Sequence, residues 1–173
     1  GFMDNVALCA VSESSMNSQD PRLRQIWEQQ SVPVIFRQQQ PSRVLVRLPF
    51  AAEVGAGHRG ARAFSADNAK WLRGEHRHIP RWNPQFKCWK TPVSWFNDLI
   101  EQCLRRFGQV HVVQLHREQQ KCAPACWNAV GFDCECSCMG AGHGAGHPGG
   151  RWYEVSDTFA YEWGPRKYAC RLL

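Results

Sequence analysis

With 173 residues, 43% of them hydrophobic, the chain is long enough for one core, or for two small domains sharing an interface. Its net charge of +6, from 21 basic and 15 acidic residues, favours a polyanionic partner. No run of eighteen apolar residues occurs, which excludes a membrane-spanning helix. Nine cysteines, an odd number, with no stretch resembling a signal peptide, fit metal-bound or reduced thiols in the cytoplasm better than a disulfide scaffold.

Residues 1–20, polar and small around SESSMNSQD, read as a flexible tail, and Gly1-Phe2 ahead of Met3 as a cloning remnant. Pro21 to Gln30 predicts a short helix, with Asp20 as N-cap and Leu23, Ile26 and Trp27 on one face. Val32–Phe36 and Val44–Leu48 are β-rich runs joined by a glutamine-rich turn, a hairpin pattern. Gly55 to Gly60 spells G-A-G-H-R-G, but neither the strand before it nor the acid after it matches a dinucleotide fingerprint. Ala66–Leu72 predicts a helix capped by Ser65 and stopped at Gly74.

Arg77 to Pro92 reads RHIPRWNPQFKCWKTP. Trp82-Asn83-Pro84 favours a turn and Phe86–Thr91 a strand, with Cys88 as a core residue. Thr91 and Pro92 are expected to cap a long helix, whose apolar face is Val93, Phe96, Ile100, Cys103, Leu104 and Phe107, ending at Gly108. Gln109–Leu115 reads as a strand. At the C-terminus, Arg151–Val155 and Thr158–Trp163 predict a hairpin about Ser156-Asp157, and Gly164-Pro165 turns the chain again into a last strand over Lys167–Leu173.

Between Arg37 and Lys90 stand eleven basic residues against three acids, with Trp71, Trp82, Phe86 and Trp89 interleaved. Cations engage phosphates, and exposed aromatics stack on unpaired bases. Arg77, Arg81, Lys87 and Lys90 are the expected phosphate contacts, and Trp82 and Trp89 the stacking residues. The competing reading is a solvated basic face around core tryptophans.

Lys121 to Gly150 holds five cysteines and two histidines as C-x3-C, C-x-C-x-C and a glycine-rich tail. Thiolates and imidazoles this dense suit tetrahedral Zn2+, and four protein ligands make such a site structural. The candidate ligands are Cys122, Cys126, Cys134, Cys136, Cys138 and His143, and the spacing leaves open which four bind. Neither ferredoxin spacing occurs. A deaminase would need its C-x-x-C far beyond H-x-E, whereas here C-x3-C follows His116-Arg117-Glu118 almost at once.

Two resemblances emerge. Gly60-Ala61-Arg62-Ala63-Phe64, then Arg81, Trp82, Asn83, Pro84, Lys87, Trp89 and Pro92 before an amphipathic helix, resemble the HARP module of annealing helicases over about residues 43–108. Arg81 stands one position closer to the tryptophan than in that family's pattern. The resemblance implies binding to branched or partly single-stranded DNA, without a helicase motor, since no G-x-x-x-x-G-K-[ST] loop is present. Cys122, Cys126, Ala129, Gly131, Cys134, Cys136, Cys138, Gly140, His143 and Gly144 resemble a motif in uncharacterised bacterial and phage proteins. Those usually carry asparagine where this chain has Gly142. That resemblance implies a metal site and no particular activity.

The expected architecture is α+β: a small mixed sheet with two or three helices, a zinc-stabilised cysteine-rich module and a C-terminal β-hairpin. Its expected divisions are a tail (1–20), a basic HARP-like region (21–116) and the cysteine-rich module with hairpin (117–173). The expected function is a zinc-containing nucleic-acid-binding protein, DNA before RNA, with no membrane partner and no assigned catalytic residues. The alternatives are a metal-dependent nuclease, for which Glu154 and Glu162 are the least scattered acids, and a mobile-element interaction or inhibitor module using its tryptophans on a protein partner.

Overall fold

The computed structural model describes residues 21–29, 31–39, 41–49, 67–117, 124–133, 135, 157–163 and 166–173. The expected Asp20 and Ser65 caps, the tail, and Arg151–Val155 lie outside them. The described elements are α1 (Pro21–Glu28), β1 (Val34–Gln38), β2 (Arg43–Arg47), α2 (residues 67–73), β3 (Arg81–Asn83) and β4 (Cys88–Thr91). They continue with a 3-10 turn (Val93–Trp95), α3 (Phe96–Phe107), β5 (His111–Leu115), α4 (Pro124–Trp127), β6 (Asp157–Trp163) and β7 (Arg166–Leu172).

These strands form one seven-stranded mixed sheet in the order β3-β4-β2-β1-β5-β7-β6. The β1–β5 pair is parallel and every other pair antiparallel. The class is α+β, as expected. Alternation along the strands sends Ile35, Val44, Val46 and Val112 to one face, where Phe96, Leu99, Ile100 and Cys103 of α3 close the larger core with Leu72 of α2. Val34, Phe36, Leu45, Cys88 and Val113 go to the other face, covered by Leu23 and Trp27 of α1. Burying a single side chain of this size contributes about 1.5–3 kcal/mol. The two-sided burial explains why β1 and β2 read as nearly unbroken apolar runs.

One local expectation is corrected. Thr91 does not cap α3: its buried hydroxyl donates to the Val44 carbonyl at 3.2 Å, tying β4 to β2. The helix instead starts through the 3-10 turn, with Pro92 extended ahead of it. Its other end is as expected, with Gly108 at φ 79° donating to the Leu104 carbonyl. The expected C-terminal hairpin is present, formed by Asp157–Trp163 and Arg166–Leu172; the expected strand Arg151–Val155 and the Gly164-Pro165 turn lie outside the described residues.

Strand β7 pairs with β5 over five residues, and Tyr168 and Cys170 join the α1-side core. The hairpin thus belongs to the same sheet as the strands within 21–116. In sequence, residues 116–156 separate β5 from β6. Among the described residues, no helix is long and apolar enough to cross a membrane.

Candidate functional site

The β3–β4 ribbon is built around a short turn that several side chains hold. Asn83 Oδ1 accepts the amides of Gln85 (3.0 Å) and Phe86 (3.3 Å), which reverses the chain after Pro84. Trp27 Nε1 of α1 donates to the Phe86 carbonyl at 3.2 Å, and the buried Arg47 guanidinium donates to the Lys87 carbonyl at 3.0 Å. Lys87 takes φ 51°, a left-handed conformation that the surrounding bonds must impose on a residue with a Cβ. Burial pulls the Arg47 pKa below its ordinary value, and the neighbouring Cys88 offsets part of that.

Register then arranges the ribbon: Arg81 lies opposite Lys90, Trp82 opposite Trp89, and Asn83 opposite Cys88. The Trp82 and Trp89 rings are 4.9 Å apart at 56°. Trp89 packs on the larger core, while Trp82 stays 43% exposed. On its inner side β4 also pairs with β2, which brings Arg43 to the same end as Lys90 and Thr91. The preceding segment is fixed by Trp95, on which His76 stacks at 3.9 Å and His78 packs edge-on at 5.9 Å.

The result is an open groove of about 500 Å³, lined by Arg43, His78, Arg81, Trp82 and Lys90 with Ser42, Thr91 and Pro92. Of the expected nucleic-acid contacts, Arg81, Trp82 and Lys90 meet here. Arg77 is exposed but does not line the groove, Trp89 serves mainly as packing beneath Trp82, and Lys87 sits exposed at the opposite, turn end of the ribbon. Arg43 and His78 complete the groove and were not singled out by sequence reading. Arg43 was visible as a member of the basic run, but its place here follows from the β2–β4 pairing, which the sequence does not announce.

Of the expected metal ligands, Cys122, Cys134, Cys136, Cys138 and His143 lie outside the described residues; Cys126 is half-buried on α4. Among the described residues no three His, Cys, Asp or Glu side chains are placed to hold a metal ion. The donor chemistry can still be sorted. Burial pushes the Cys88 and Cys103 thiols up to about 12, so both stay protonated, and Cys170 is buried with them in the core. Among the described cysteines, Cys126 alone lies outside the buried core.

That segment is fastened where it can be described. Asn97 of α3 accepts the Phe132 amide at 2.8 Å, Arg171 of β7 donates to the Phe132 carbonyl, and Arg37 of β1 pairs with Asp133 while lying 5.3 Å over the Phe96 ring. Gly131 fits because a Cβ there would come within 2.9 Å of the Asn97 amide. Glu135 is held twice by Arg117, through the Arg117 amide and through a 3.1 Å ion pair. The residues on both sides of Cys134 are thus anchored to the sheet.

No protein-family model, no characterised protein and no solved structure matches this chain.

Proposed function

We propose that this α+β protein is a zinc-containing DNA-binding protein that takes branched or partly single-stranded DNA into the groove at the β3 edge of its sheet. Phosphates meet Arg43, Arg81 and Lys90, and a base stacks on Trp82. The observation that carries this reading is the Arg81–Lys90 pair beside an exposed tryptophan. Like charges directly across two strands are unfavourable by themselves, and a bound phosphate turns that repulsion into two charge-assisted hydrogen bonds. A tryptophan face next to a phosphate site serves an unpaired base, because stacking needs no particular sequence. Zinc, held by the cysteine-rich segment, fixes the long connection between β5 and β6 and takes no part in chemistry.

The test is fluorescence anisotropy with zinc-loaded protein on single-stranded, duplex and forked DNA. The expected order is forked and single-stranded above duplex, with Trp82→Ala weakening binding by the equivalent of about 1–3 kcal/mol and erasing the preference. Absence of binding to every form at low salt, or a Trp82→Ala variant that keeps full affinity and preference, overturns the proposal.

A further inference from the structure

Alternation and register put three cations of the groove on one face of the sheet. Lys90 stands opposite Leu45, a residue of the α1-side core, and Arg81 stands opposite Lys90. Arg43 lies two residues before Leu45 on β2, so all three side chains leave neighbouring strands on the α1 side. Directly opposite residues have Cβ atoms about 4.5–5.5 Å apart and diagonal ones about 7 Å, which long side chains bridge. Arg43 is steadied there by the bond from its Nε to Gln38. No carboxylate is among the described residues that line the groove. Trp82 lies opposite Trp89, which packs on the α3-side core, and therefore leaves β3 on the other face.

Strand β3 is the edge of the sheet and begins where β4 ends. The groove thus wraps around a corner, with cations on one face and the tryptophan on the other. A base-paired nucleotide cannot reach both, because its base is held inside the duplex, whereas an unpaired one can. At about 500 Å³ the groove has the size of sites that hold one small molecule, not a run of nucleotides. Charge then decides which nucleotide fits. An internal phosphodiester brings one negative charge, so three cations would need three successive phosphates. A terminal phosphomonoester brings nearly two charges at pH 7 and three acceptor oxygens in a single group.

We infer that the groove receives the end of a DNA strand, with Arg81 and Lys90 on its terminal phosphomonoester, Arg43 on the next phosphate and the terminal base on Trp82. This inference rests on the DNA-binding reading above and narrows it from an unpaired segment to a strand end. A 5′ and a 3′ phosphate share this chemistry, and the arms of the test tell them apart.

The test is anisotropy of the full chain on one single-stranded oligonucleotide, labelled internally and prepared with a 5′ phosphate, with a 3′ phosphate, or with hydroxyls at both ends. One phosphorylated form is expected to bind about 10-fold or more tighter than the hydroxyl form, the scale of an added charge-assisted hydrogen bond. Arg81→Ala and Lys90→Ala should each remove most of that advantage, Lys87→Ala should keep it, and Trp82→Ala should weaken all three forms. Equal affinity for the three forms overturns the inference and leaves the DNA-binding reading standing. An advantage that is the same at both ends, or that survives Arg81→Ala, is general charge attraction and overturns it too. Absence of binding to every form at low salt removes both. The comparison of oligonucleotides uses the unmutated chain, so it decides the matter even where a variant fails to fold.

Discussion

The groove makes a sharper prediction than the charge count, because it divides the basic residues of one ribbon into two groups. Arg81 and Lys90 face each other at the groove, with Arg43 beside them, whereas Lys87 sits at the turn. At about 3.3 Å per residue, Lys87 is roughly 10 Å along the ribbon from Lys90. Each phosphate neutralised on a single strand contributes a slope of about −0.7 to log K against log salt, so three groove cations give about −2. Between 50 and 200 mM salt that slope lowers the affinity about 20-fold. Removing Arg81 should lower the slope magnitude by about 0.7, and removing Arg81 and Lys90 together by about 1.4. Lys87→Ala should leave it unchanged. Lys87→Ala is a fair control, since Arg47 binds the backbone carbonyl of Lys87 and not its side chain. The assay is anisotropy on a single-stranded oligonucleotide at four or more salt concentrations, with circular dichroism to confirm folding. Equal slope changes from Arg81→Ala and Lys87→Ala would refute the groove and favour a diffuse basic face.

Three further predictions concern the scaffold. Gly131→Ala should push the Asn97 amide aside and forfeit its bond to Phe132, lowering stability by about 1 kcal/mol as read by chemical denaturation; Gly131→Ala with unchanged stability would contradict the close approach. Asn83→Ala removes the acceptor of two turn amides and should destabilise the protein by about 1–2 kcal/mol, with the loss largest in hydrogen exchange of the β3–β4 amides. The Cys88 and Cys103 thiols ionise near 12 in the folded protein against 9.0 when unperturbed, because of burial. The folded state therefore keeps protons that the unfolded chain gives up. Their contribution is complete below pH 9 and is lost as the pH rises towards 12. A Cys103→Ala variant should show a shallower fall of Tm with pH over that interval, and native protein at pH 8 should leave both thiols unlabelled by iodoacetamide until denaturant is added.

Local signals carried most of the fold. The apolar runs Val32–Phe36 and Val44–Leu48, which overlap the observed strands Val34–Gln38 and Arg43–Arg47, the 3.6-residue pattern of α3 and its glycine stop were legible because each depends on neighbours in sequence. Thr91 was misread because a threonine before proline is a good cap by local rules, while its actual partner is Val44, 47 residues away. The pairing of β7 with β5, which joins the C-terminal strands to the central sheet, is a non-local contact with no signal of that kind. The order of seven strands, with β5 and β7 between β1 and β6, had no local signature at all.

The basic residues show most clearly why composition alone overstates a binding surface. Counted in sequence, Arg37, Arg43, Arg47 and Arg81 are equivalent positive charges. In the fold Arg47 is buried beneath the β3–β4 turn and Arg37 is engaged with Asp133 and Phe96, so both stabilise the scaffold. Arg43 gives its Nε to Gln38 at 2.6 Å yet still borders the groove, whereas Arg81 is exposed at the edge strand. Truncating a buried arginine leaves its carbonyl acceptor unpaired, at a cost of about 1–3 kcal/mol. Arg47 and Arg171 are therefore accounted for by the scaffold itself. The groove instead sets Arg81 opposite Lys90 at the edge of the sheet, and the salt-slope series above decides whether that pair meets phosphate.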